Sequence, residues 1–136
     1  MTTFRFHTSL RQPPDEVWTV LTDVDKIPEW FPGVTNATYD GTFRHLQIAD
    51  GSTLRARVMT HDDDLHRFQY SFVDGFPVPI DFHLGTLDVL AQGEGSLVIY
   101  SQEILPEALA PHVGNAVQAG IHGIRDYFES PGGPAC

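Results

Sequence analysis

The chain has 136 residues, including nine Phe, four Tyr and two Trp, which is enough for one buried core, and no linker-like stretch divides it. Its formal charge of −10, from 18 acids against 8 Lys and Arg, excludes nucleic-acid backbone and anionic membrane as main partners, since both are bound by concentrated Lys and Arg. The one cysteine is the last residue, Cys136, so an internal disulfide framework and a cysteine metal cluster are excluded as well.

Phe4 to Leu10 alternates large and polar residues and then meets Gln12-Pro13-Pro14, which reads as a strand that ends there. Pro14-Asp15-Glu16 opens a helix, with a proline at the start and acids near the positive end of the dipole; Val17, Trp18, Leu21 and Val24 form its apolar stripe. A second short helix is expected from Asp25 to Phe31, with Pro28 in its first turn and Pro32-Gly33 closing it. From Val34 to Leu105 the period becomes two. Turn signals at Asp40-Gly41, Asp50-Gly51, Asp62-Asp63-Asp64, Asp74-Gly75 and Gly93-Glu94-Gly95 cut this stretch into strands at 34–39, 43–49, 53–61, 66–73, 80–90 and 96–104. After Pro106 a helical period runs from Glu107 to Glu129, about 35 Å at 1.5 Å per residue. Ser130-Pro131 stops it, so one domain is expected over 1–130, with 131–136 as a loose tail.

This order predicts an α+β helix-grip fold: a seven-stranded curved antiparallel sheet, two short helices after the first strand, and a long C-terminal helix over the concave face. One helix does not fill such a concavity, and Ala116 and Gly120 are small where filling is needed. A cavity between helix and sheet is the expectation that leads toward function.

Four stretches resemble the START/SRPBCC (birch-pollen-allergen-like) superfamily, in its polyketide cyclase/dehydrase-like branch. They are Gln12 to Gly33, Leu46 to Gly51, Tyr70 to Pro79, and Gly85 to Val89 together with Tyr100 to Pro106. The resemblance spans nearly the whole chain. It implies a pocket with Ile27, Phe31 and Val34 at one end, Leu54, Ala56, Val58 and Thr60 on the fourth strand, and His112, Ala116 and Gly120 on the long helix. The Tyr and Arg by which polyketide aromatase/cyclases promote ring closure fall here at Val34 and Thr60, which can neither transfer a proton nor hold an enolate.

Tyr100 and Gln102 lie two apart on the last strand and share a face with Val98. Their polar atoms need partners, either a ligand or the protein's own groups. Hairpin pairing across Gly93-Glu94-Gly95 brings His83, Gly85, Leu87 and Val89 to that face, and a one-residue slip exchanges them for Phe82, Leu84, Thr86 and Asp88. Phe68 and Tyr70 complete the expected binding wall, and Phe76, in the proline-stiffened loop from Asp74 to Ile80, is a candidate lid. His112 is the one weak catalytic candidate, with ligand contact or a plain surface role as the other readings.

His61 to His66 flanks three acids with two histidines but reads as a hairpin turn, so no metal and no cofactor are expected. Asn36-Ala37-Thr38 matches a glycosylation acceptor but reads as strand. The sequence points to binding of a small hydrophobic molecule, lipid-like or polyketide-like; the alternative is a metal-free cyclase, dehydratase or isomerase acting on a polyketide-like substrate. A monomer or homodimer in the cytoplasm, without stable membrane insertion, is the accompanying expectation.

Overall fold

The computed structural model describes residues 1–76 and 79–129. Strand β1 (Thr2–Leu10) is followed by helix α1 (Pro14–Leu21), a 3-10 turn (Val24–Lys26) and the one-turn helix α2 (Ile27–Trp30). Strands β2 (Val34–Tyr39), β3 (Phe43–Ile48), β4 (Thr53–Asp62), β5 (Arg67–Asp74), β6 (Phe82–Gln92) and β7 (Gly95–Leu105) come next. A second 3-10 turn (Glu107–Leu109) leads into helix α3 (Ala110–Glu129). The expected tail at 131–136 lies outside the described residues.

Two boundaries differ from expectation for local reasons. Pro79 has no amide proton to give a ladder, and β6 starts at Phe82, after Asp81 has donated to the Leu105 carbonyl at 3.0 Å. His66 sits at φ 55°, a turn conformation, so β5 begins one residue later.

All strands pair antiparallel in the order β1-β7-β6-β5-β4-β3-β2. The meander from β2 to β7 follows from short turns, and β1 closes the sheet against β7, Thr2 opposite Ile104 and Leu10 opposite Ser96. Along β7 every second side chain is buried, from Ser96 through Val98, Tyr100 and Gln102 to Ile104. The β6–β7 register sets Leu87 opposite Tyr100 and Gly85 opposite Gln102, so the inward set of β6 is His83, Gly85, Leu87 and Val89.

Helix α3 buries Val113, Val117, Gly120, Ile121, Ile124 and Phe128 at helical spacing. It packs on β1, β7 and α2. Glycine allows these approaches: a Cβ on Gly114 would meet the Phe4 ring at 2.6 Å, and one on Gly123 would lie 1.9 Å from the Trp30 carbonyl oxygen. At the far end the buried Gln12 donates to the Phe128 carbonyl at 3.0 Å, satisfying an acceptor that the helix leaves open. Ser96 Oγ in turn donates to the Gln12 carbonyl at 2.7 Å, tying this end to β7.

Helix α1 docks on the β4–β5 hairpin through the acids and histidines that bracket the turn. Trp18 Nε1 donates to Asp63 at 2.9 Å, its ring stacks on His66 at 5.2 Å, and His66 Nε2 lies 3.2 Å from Asp15. Hydrogen bonds from Trp18 and then His61 hold the Asp63 carboxyl below its ordinary range. Among the described residues no group of three potential metal ligands forms. No helix among them is long and apolar enough to cross a membrane.

Gly123→Ala should destabilise the fold by about 2 kcal/mol in urea unfolding, because the forced separation of α3 from α2 outweighs the roughly 1 kcal/mol gained in helix propensity. Unchanged or raised stability would show that the two helices do not meet at Gly123.

Candidate functional site

Helix α3 packs closely on β1 and β7 and leaves a gap between its first turns and the part of the sheet built from β3, β4 and β5. A cavity of about 330 Å³ remains there, at the small end of the roughly 300–1,000 Å³ common for ligand sites. Ile27, Trp30 and Phe31 wall it from α2 and its exit, Val34 from β2, and Leu46 and Ile48 from β3. Leu54, Ala56, Phe68, Phe72 and Leu87 form the sheet side, with Phe76 beyond β5. His112, Val113 and Ala116 come from the first turns of α3. The wall is mostly apolar.

Its polar floor is a hydrogen-bonded chain whose direction is set by one backbone amide. Phe72 N–H donates to His83 Nδ1 at 3.0 Å, so the other ring nitrogen carries the proton and donates to Gln102 Oε1 at 2.6 Å. That fixes the Gln102 amide, whose Nε2 donates to the Tyr70 hydroxyl at 2.8 Å and, at 3.3 Å, to that of Tyr100. The two hydroxyls also bond each other. Only one of their two protons is used between them, and the other has no acceptor among the described residues.

Tyr70 reaches this position because β6 has no side chain beneath it. A Cβ on Gly85 would lie 2.5 Å from the ring. Burial pushes the Tyr70 hydroxyl well above its ordinary pKa and that of Tyr100 up to about 12, and it pulls His83 down to about 4. All three are therefore neutral over the physiological range.

The sequence reading missed Arg44. It lines the cavity, with its guanidinium 4.2 Å from the centre of the Phe68 ring and one hydrogen bond, to the Thr22 carbonyl at 3.3 Å. Burial pulls its pKa down to about 10, leaving it charged at neutral pH. Strand period offered the signal: Arg44, Leu46 and Ile48 share one phase of β3, and Leu46 and Ile48 are apolar.

Other expected site residues fall elsewhere. Val58 packs in the core beside the cavity but does not line it. His83 does not line the cavity but lies behind Gln102, Tyr70 and Phe72, which do. Gly120 leaves room for protein rather than guest, since a Cβ there would meet Tyr100 at 2.8 Å and Phe31 at 3.2 Å. Thr60 turns to the opposite face from Ala56 because β4 carries an irregularity between Val58 and Thr60; its hydroxyl bonds Gln69 at 2.8 Å. His112 is exposed at the rim. In the candidate lid loop, Phe76 packs edge-on against Phe72 at 5.3 Å, while Pro77 and Val78 lie outside the described residues.

These elements define a helix-grip protein of the SRPBCC superfamily. A family model described as polyketide cyclase / dehydrase and lipid transport matches residues 1–129, and the chain belongs to that family. No curated protein matches it. Among solved structures, the protein XoxI from Bacillus cereus is 22% identical with a TM-score of 0.86, covering 96% of this chain and 97% of that one. Ara h 8.0201 is 17% identical with a TM-score of 0.72 over 95% and 98% of the two chains. The Zhui aromatase/cyclase from a Streptomyces species is 14% identical with a TM-score of 0.75 over 97% and 98%. At these identities the likeness is one of fold.

The His83 shift has a consequence for stability. The unfolded chain takes up this proton near 6.5 and the folded chain only near 4, so stability falls as pH drops through that window, by about 3 kcal/mol in total. His83→Gln keeps a neutral donor and acceptor, and urea unfolding between pH 7 and 4 should show a correspondingly smaller acid loss. Equal losses in the two proteins would remove His83 as the cause.

Proposed function

We propose that the protein binds a small, mostly apolar molecule, lipid-like or polyketide-like, in the cavity between sheet and α3. The observation that carries this reading is the apolar wall of about 330 Å³ closing on a polar floor at Tyr70, Tyr100 and Gln102. A ligand is oriented by that floor and held by apolar contact with Ile27, Phe31, Val34, Leu54, Phe68 and Leu87. The family description, which joins cyclase/dehydrase with lipid transport, is compatible with such a guest.

Catalysis is the second reading, and the floor does not favour it. A general acid or base works best with a pKa near the working pH, whereas burial drives His83 down and both tyrosines up. His112 at the rim is the remaining titratable candidate. A binding protein needs none of these groups to transfer a proton.

The neutral dye N-phenyl-1-naphthylamine tests the reading. Its fluorescence should rise saturably with one dye per chain, and Ala116→Trp, which fills the cavity from α3, should weaken binding about tenfold or more. His112→Ala should change affinity by less than about twofold. Equal binding by wild type and Ala116→Trp, with circular dichroism showing both folded, would place the dye elsewhere and sink the proposal.

A further inference from the structure

The cavity has the opposite electrostatic character to the chain that encloses it. The chain has 18 acids and 8 Lys and Arg, yet no Asp or Glu lines the cavity and Arg44 does. Among the described residues no carboxylate pairs with Arg44, and Asp23 acts on it only through space. A guanidinium carries five N–H donors, and the Thr22 carbonyl takes one. Arg44 is partly buried, and cations withdrawn from water ordinarily have an ionic partner.

Two further donors accompany it. The Tyr70–Tyr100 pair has one hydroxyl proton that the protein does not use, and both tyrosines line the same cavity as Arg44. Trp30, 4% exposed and part of the cavity wall, has an indole N–H with no acceptor among the described residues. Around the cavity these unused groups are donors; the one unpartnered buried acceptor among the described residues, Glu103 Oε2, is not in its wall.

Resting on the binding role proposed above, we infer that the ligand is an amphipathic acid whose carboxylate pairs with Arg44 and accepts the free hydroxyl proton of the Tyr70–Tyr100 pair, its apolar body lying along Phe68 and Leu87. One guanidinium balances one negative charge. A phosphate monoester, with up to two charges near neutral pH, leaves part of its charge buried and uncompensated, and a neutral alcohol or ketone leaves Arg44 itself so. An aliphatic and an aromatic acid present the same head group, and the test separates them.

Displacement of bound N-phenyl-1-naphthylamine at pH 7.5 is measured with two matched pairs, decanoic acid against decan-1-ol and 2-naphthoic acid against 2-naphthalenemethanol. In at least one pair the acid should bind about tenfold more tightly than the alcohol, and that pair identifies the body. Arg44→Met should weaken that acid about tenfold while shifting its alcohol less than about twofold, and Arg44→Lys should retain most of the preference. The wild-type comparison decides even if Arg44→Met does not fold. Alcohols that bind as well as their acids in both pairs, or an Arg44→Met variant that weakens acid and alcohol equally, would overturn the inference and leave the binding role standing. A dye that never binds, or that no compound displaces, would overturn both.

Discussion

A straight helix can touch a curved sheet along only one line, and the rest of this structure depends on where that line falls. Helix α3 is seated against β1, β7 and α2. At Gly114 and Gly123 the missing side chains let Phe4 and the Trp30 carbonyl into contact, and at Gly120 Tyr100 and Phe31 occupy the space. Close packing along that line leaves a gap between the helix and the β3–β5 side, where the curved sheet stands away from the axis. The hollow is therefore a remainder of well-made packing elsewhere. Its depth is set by the glycines and by Gln12, which holds the far end of the helix to β7 through Ser96.

Such a hollow must also solve the problem of polar atoms placed away from water. Tyr70, Tyr100, Gln102 and His83 are all buried, and each would be costly without partners. Their chain starts at the Phe72 amide, a donor that cannot change role, and every later group inherits its orientation from that fact. Glycine at position 85, normally a weak choice inside a strand, is stabilised in context because the Tyr70 ring covers the vacated site. The result is a neutral floor of fixed direction that ends in a donor.

Much of the fold was legible because its determinants are local. Asp40-Gly41 and Asp50-Gly51 announce hairpins by turn chemistry, with Gly41 and Gly51 at φ 100° and 92°. The period-two runs between them needed no knowledge of their partners. The facing of Tyr100, Gln102 and Leu87 follows from the same arithmetic, whereas the walls at Ile27 and Phe31 were implied by the family resemblance. What was not legible depends on irregular or distant contacts: the break in β4 that turns Thr60 outward, and the rings from β7 and the α2 exit that occupy the space at Gly120. Arg44 is a different kind of miss. Its phase on β3 was readable, but a cation facing inward contradicts the usual partition of charge to the surface, and such contradictions concentrate at functional positions.

That contradiction carries the last step. Over Phe68 the guanidinium gains some cation–π attraction, but burial still disfavours its charged form, and an apolar residue of similar length at such a site is often neutral or stabilising. Fold stability is thus a poor reason for an arginine at position 44. Outside the cavity the net charge of −10 repels anions over roughly a Debye length of 8 Å at physiological salt. A small hydrophilic anion meets that repulsion and can use only Arg44, without the apolar wall; a neutral hydrocarbon can use the wall and leaves the cation unpaired. On the binding role proposed above, a molecule with both an apolar body and a single negative charge satisfies every part of the site, and an acidic exterior with a cationic interior would together sharpen selection for amphiphiles.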